Sequence, residues 1–176
     1  IHNDFTDPED LYEKVRSVFR FDSLKRKDWY VDYHNIDTFA GVQSQRKIFT
    51  DTAIEMLAAG DTAKAIEMLD LCQEYIPEEN FPLDMSIYRL SNELYVSYMT
   101  EVYFEAGEME KGAELAERFS TQLLDSAAFF LKYYDWASGE FETCRNCLSH
   151  IAGVAGRFGR EDIAENIAVR FNSLLE

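Results

Sequence analysis

Three glycines, each followed by small and bulky residues at matching intervals, constrain this chain more than anything else in it. The first opens the run G-D-T-A-K-A-I-E-M-L-D-L-C-Q-E-Y-I-P, with Gly60, Ala65, Leu69, Cys72 and Pro77 at offsets 0, 5, 9, 12 and 17. Gly107 repeats the pattern with Gly112, Ala116 and Phe119, and Gly159 with Ala164, Ala168 and Phe171. Seven and four residues before each glycine stand Ala53 and Met56, Thr100 and Tyr103, Ala152 and Ala155. Glycine ends a helix readily because it enters the left-handed backbone region without a Cβ clash. Small residues then let the next helix lie close against the first, while bulky ones fill the space between successive pairs.

Helical hairpins in this register are the signature of the tetratricopeptide repeat. The expected fold is therefore all-α: a tetratricopeptide-like right-handed superhelix of about three helical hairpins with an extra N-terminal helix. The spacing is irregular, 47 residues from Gly60 to Gly107 and 52 from Gly107 to Gly159, against about 34 in the standard repeat. The extra residues are expected between hairpins rather than inside them. This predicts a single helical-repeat domain over 1–176. Its N-terminal helix and an aromatic connection occupy 1–42, and repeats occupy 43–79, 91–122 and 141–176.

The composition agrees: 47% apolar residues, eight glycines and three prolines in 176 residues supply a core and few helix breakers. Asp7-Pro8-Glu9-Asp10 reads as a helix start, with an N-cap, a proline at the first position and acids at the positive end of the helix dipole. Leu11, Val15, Val18 and Phe19 mark its apolar face, and the helix is expected to end near Phe21. Residues 22–36 read as an irregular connection, and Asp37 as the cap of a helix from Thr38 to Ala59. Asp61 caps the next, to Tyr75, and Pro77 and Pro82 bracket a loop. Asp84 or Ser86 opens a helix reaching Ala106, and another covers 109–122. A further one over 123–137 stops at Gly139, before a last pair over 141–157 and 161–175.

A net charge of −16 disfavours nucleic acid and anionic lipid as direct partners. The basic clusters Lys25-Arg26-Lys27 and Arg46-Lys47 read as solvated loop rather than phosphate sites. No stretch approaches the ~20 apolar residues that cross a bilayer, and Ile1 reads as a cut point within something longer. Cys72, Cys144 and Cys147 are odd in number, and Cys144-Arg-Asn-Cys147 lies in a helical stretch, so cysteines lining a core are favoured over zinc or redox use. His2, His34 and His150 lack a metal-binding spacing. No G-x-S-x-G or glycine-rich phosphate loop occurs, so neither a catalytic residue, a metal nor a cofactor is indicated. Glu108, Glu110, Glu114 and Glu117 read as a solvated helix face.

Binding residues are sought on the concave face, which the first helix of each pair lines. The register places Thr50, Ile54 and Leu57 there in the first repeat, then Ser97, Glu101 and Phe104, then Ser149, Gly153 and Arg157. The Lys and Asn of a carboxylate clamp are missing from the first repeat. This face could hold a peptide or another domain, or pack on the chain's own N-terminal helix. Two aromatic clusters, Trp29-Tyr30 with Asp32 and Tyr133-Tyr134 with Trp136, have the ring-plus-carboxylate chemistry of a glycan or peptide contact. Core packing is the favoured reading of both.

Leu11-Tyr12, Phe19-Arg20-Phe21, Trp29-Tyr30-Val31-Asp32, Glu74-Tyr75-Ile76-Pro77, Arg157-Phe158-Gly159 and Ile163-Ala164-Glu165 together resemble the soluble C-terminal tail of a family of multi-pass membrane proteins. These are common in Bacteroidetes and similar to protein O-mannosyltransferases. The chain departs from that pattern at Tyr33-His34-Asn35, where an Asn- and Arg-rich helix start is usual. The resemblance implies a tetratricopeptide-like tail on the periplasmic face of the inner membrane, whose parent holds the catalytic acids of a glycosyltransferase. The tail would then be a non-catalytic interaction or scaffolding module for a protein, its own membrane domain, or a glycan or glycoprotein acceptor. The alternatives are a free-standing adaptor, cytoplasmic, binding a peptide in its groove, and a glycan-contacting module.

Overall fold

Every regular element is helical among the residues that a computed structural model describes, 7–28, 42–84 and 93–176. The expected positions of Asp37, Thr38 and Ser86 lie outside them. The chain divides into two compact units, Ile1–Phe81 and Pro82–Glu176.

The first unit begins at the expected cap: the Asp7 carboxylate accepts from the Glu9 N–H at 3.0 Å, and Pro8 leads helix α1 (Pro8–Ser17). The helix ends four residues before Phe21, the expected limit, and a 3-10 turn follows over Asp22–Lys25. The reason lies in Phe21, whose ring stacks on Tyr75 at 4.8 Å and leans on Phe49 at 5.7 Å. Val18 and Phe19 are left exposed, and the buried face of α1 is Tyr12 and Val15. Helices α2 (Val42–Ala58) and α3 (Thr62–Tyr75) form the first hairpin around Phe49, Ala53, Met56, Ala65, Met68, Leu69 and Cys72. Polar contacts fasten α1 to α3. The Tyr12 hydroxyl donates to Glu67 at 2.6 Å, Arg16 pairs with Glu67 at 3.2 Å and Lys64 with Glu9 at 2.6 Å.

The second unit holds α4 (Glu93–Glu105), α5 (Met109–Lys132), α6 (Tyr134–Arg157) and α7 (Glu161–Leu175), each packed on its neighbour. In addition α4 touches α6, and α5 touches α7. Helix pairs that contact only sequential and next-but-one partners are the building unit of a helical repeat.

All three turn glycines are where the pattern requires them, with φ of +86° at Gly60, +84° at Gly107 and +75° at Gly159. They share one hydrogen-bond scheme. Each glycine N–H reaches the carbonyl three residues back (Leu57, Phe104, Gly156), and the next N–H reaches five back (Met56, Tyr103, Ala155), at 2.8–3.2 Å. This is the Schellman termination, which satisfies two otherwise orphaned carbonyls. Asp61 then caps α3, accepting from the Lys64 N–H at 3.3 Å.

Small residues behave as expected in the first two hairpins. Ala65 and Ala116 are fully buried, and a Cβ on Gly112 would come within 3.0 Å of the Phe104 ring. The third differs: Ala168 is exposed and Ala164 half-buried, while Ile163 and Ile167 enter the core. Helix α7 packs on α6 and α5 through Ile163 and Ile167, and its opposite face, with Ala168 and Val169, is exposed.

Two expectations are corrected between the hairpins. Residues 123–132 continue α5 rather than forming a separate helix, and Gly139 lies inside α6 rather than ending a helix. A glycine in a helix costs only about 1 kcal/mol relative to alanine, and Gly139 has no positive φ to enforce a stop. The break falls at Tyr133 (φ −119°, ψ 29°), with a second irregularity at Ala137 (φ −129°, ψ 28°). The Trp136 and Ala137 N–H groups both donate to the Tyr133 carbonyl at 2.9 Å, forming a tight elbow. Helices α5 and α6 each run 24 residues, against 14 for α3. Each is thus longer by about 15 Å at ~1.5 Å per residue. Helical extension therefore accounts for the 52-residue spacing from Gly107 to Gly159.

Candidate functional site

The expected groove residues separate into two groups. Thr50 and Ser97 are fully buried and Phe104 nearly so, which removes them as surface contacts. The Thr50 hydroxyl donates back to the Arg46 carbonyl at 2.8 Å, and Phe104 stacks on Phe158 at 5.5 Å against Gly112. Ile54 is 40% exposed, Leu57 is half-buried, and Ser149 and Gly153 are exposed.

Glu101 and Arg157 come together as an ion pair between α4 and α6. His150 joins them: its Nε2 lies 3.3 Å from the Glu101 carboxylate, and its ring meets Tyr98 edge-on at 5.3 Å. That nitrogen is buried and makes no hydrogen bond among the described residues. The spacing of His150 from the other histidines hides this role. What reveals it is its position seven residues before Arg157, two turns along the same face of α6. The ensemble clasps α4 to α6, with its carboxylate committed to the guanidinium.

Other charged clusters are also engaged. Lys25 pairs with Glu74, Arg26 with Asp28 at 2.6 Å and Lys27 with Glu79 at 2.7 Å, so the basic run is neutralised. Arg46 is buried and donates to the Phe81 carbonyl, while Lys47 pairs with Asp51. Between α5 and α7 lies a polar crevice of about 420 Å³, lined by Glu117, Ser120, Thr121, Asp162, Ile163 and Asn166. Arg160 spans two of its acids, at 3.5 Å from Glu117 and 2.8 Å from Asp162, which holds the Asp162 carboxyl below its ordinary range. Arg170 donates to the Thr121 hydroxyl at 3.2 Å.

The three cysteines are buried and unbridged, with Cys144 and Cys147 turned into the core as their spacing suggested. Burial pushes the Cys72 thiol up to about 12, partly offset by the charge of Arg46. Among the described residues no three His, Cys, Asp or Glu side chains gather as a metal site. No helix among them is long and apolar enough to cross a membrane.

The elbow between α5 and α6 is different in kind. Trp136 is 91% exposed, Tyr133 53%, Phe129 50% and Tyr134 44%, and of this run only Phe130 is properly in the core. Core packing, the favoured expectation for Tyr133, Tyr134 and Trp136, is therefore corrected. The cause is the unequal length of neighbouring helices. Phe171, near the end of α7, stacks on Phe141 at 5.8 Å. Helix α7 has 15 residues and α6 has 24, so the part of α6 before Phe141 outruns its cover. The rings hold one another: Phe129 meets Tyr133 at 5.1 Å, and Tyr134 meets Phe141 edge-on at 5.6 Å. They border a shallow recess of about 280 Å³, lined by Leu131, Lys132, Tyr133, Tyr134, Asp135 and Trp136. The other aromatic cluster, Trp29, Tyr30 and Asp32, lies outside the described residues.

Compared with protein-family models, with curated proteins and with solved structures, the chain gives no match.

Proposed function

We propose that this chain is a non-catalytic interaction module and that the α5–α6 elbow is its point of contact with a protein partner. The observation that carries the reading is the elbow itself: four aromatic side chains held in water at the end of two extended helices. Tyr and Trp are the residues that contribute most to protein interfaces, because a large rigid surface is desolvated at small entropic cost. Elsewhere the polar groups that could do chemistry are tied into internal pairs, as at Glu101–Arg157 and Arg160–Asp162. Hairpins with a shared Schellman termination support a tetratricopeptide-like scaffold, an architecture that commonly presents such surfaces.

In this reading the module is the soluble tail of a larger membrane protein similar to protein O-mannosyltransferases, on the periplasmic side. There it holds an acceptor protein or its own membrane domain. What supports the tail assignment is the resemblance of the segments around Tyr12, Phe21, Tyr75 and Phe158. The coding sequence upstream of Ile1 tests it, since several membrane spans are expected there and a start codon at that point overturns it. The interaction reading is tested by a photo-crosslinking residue at Trp136 and, as an exposed control, at Val169. The expected result is one identified adduct from position 136 alone. Equal labelling from both positions, or none from either, overturns it.

A further inference from the structure

We infer that the elbow receives a cationic protein segment, whose arginine or lysine side chains stack on Trp136 and pair with Asp135. This rests on the interaction reading and names the chemistry of the partner. Trp136 is 91% exposed and Tyr133 and Tyr134 about half so, and the face of an aromatic ring is its negative pole, attractive to a cation, with Trp the strongest. Asp135, set between Tyr134 and Trp136, is exposed and forms no ion pair among the described residues. In this it differs from Glu117 and Asp162 of the polar crevice, which Arg160 already holds.

Residues 125–140 contain three acids, Asp125, Asp135 and Glu140, and one base, Lys132. Over the whole chain the net charge of −16 draws a cation in and turns phosphates and anionic lipid away. A neutral sugar would stack on the same rings and donate a hydroxyl hydrogen bond to Asp135, but, carrying no charge, it would not be drawn in by that field. The recess of about 280 Å³ beside Lys132–Trp136 has room for one long side chain.

The experiment uses the full chain carrying Trp29→Phe, so that emission reports Trp136 alone. A dye-labelled oligo-arginine peptide is titrated by quenching and by anisotropy, with mannotriose and with anionic and zwitterionic vesicles as parallel probes. Saturable quenching by the peptide is expected, with a loss of affinity on the order of tenfold for Trp136→Ala. A smaller loss is expected for Asp135→Asn, together with weakening at high salt. If Trp136→Ala binds as tightly as its parent, the peptide is held by diffuse charge alone and the inference is overturned. Quenching by mannotriose or by vesicles, and not by peptide, also overturns it. If the peptide fails while crosslinking from position 136 still yields one partner, the chemistry named here is wrong and the interaction reading stands. If no adduct forms, that reading falls with it.

Discussion

Gly60 and Gly139 show how much one residue's backbone decides. Gly60 sits at φ +86°, where a Cβ is strained even though the space around it is open. Gly60→Ala is therefore expected to destabilise the chain by about 1–2 kcal/mol. Gly139 lies within α6, has no positive φ and has open space where a Cβ would go. Gly139→Ala is expected to stabilise by about 0.5–1 kcal/mol. Urea denaturation of both variants checks the pair, and a loss of stability in Gly139→Ala would place a helix stop there after all. The sequence marks both as glycines in a helical run, but only the repeated offsets after Gly60, Gly107 and Gly159 tell a turn from a tolerated gap. Phe130 and Trp136 make a similar contrast. Phe130→Ala should cost about 3–5 kcal/mol by opening a cavity, since the ring is 3% exposed. Trp136→Ala should stay within about 0.5 kcal/mol, because that ring is 91% exposed. Thermal or urea melts of the two settle whether the elbow is surface.

At the scale of the element, helix caps were the most legible feature and helix ends the least. Asp61 caps α3 as its place after Gly60 implies. The Lys64 N–H and ammonium hold the Asp61 carboxyl below its ordinary 3.8. A depressed folded pKa means that the contribution is whole above the unfolded value and is lost as the pH falls through the folded one. Asp61→Ala should therefore lower the melting temperature at neutral pH. The difference from the parent should shrink as the pH drops below about 3.8. An unchanged gap at low pH would show that the carboxylate's charge plays no part. The end of α1 escaped the sequence because Phe21 leaves the helix to stack on Tyr75, a residue 54 positions away. The continuity of α5 through residue 132 escaped it only at the join of 122 and 123, where the repeat register ends a hairpin although Gln122, Leu123 and Leu124 carry no helix stop.

For the whole molecule, charge is the property that composition states outright. With 33 acids against 17 bases, the folded chain repels itself, and salt screens that repulsion over about 10 Å at 0.1 M. Raising sodium chloride from low to physiological strength should raise the melting temperature. A fall would mean that the surface ion pairs of α1, such as Lys64–Glu9, outweigh the net repulsion. The sequence by itself determined the helical class and the three turn glycines. It also determined the burial of Ala65, Leu69, Cys72, Ala116 and Phe119, because helical period and positive φ are local demands written in neighbouring residues. Tertiary structure alone decided which aromatic rings meet water. Tyr133, Tyr134 and Trp136 belong to types found both in cores and at surfaces, and their exposure follows from α7 being nine residues shorter than α6. It alone also brought Glu101 against His150 and Arg157: the seven-residue spacing sets those two on one face of α6, but their meeting with Glu101 spans at least 49 residues of chain.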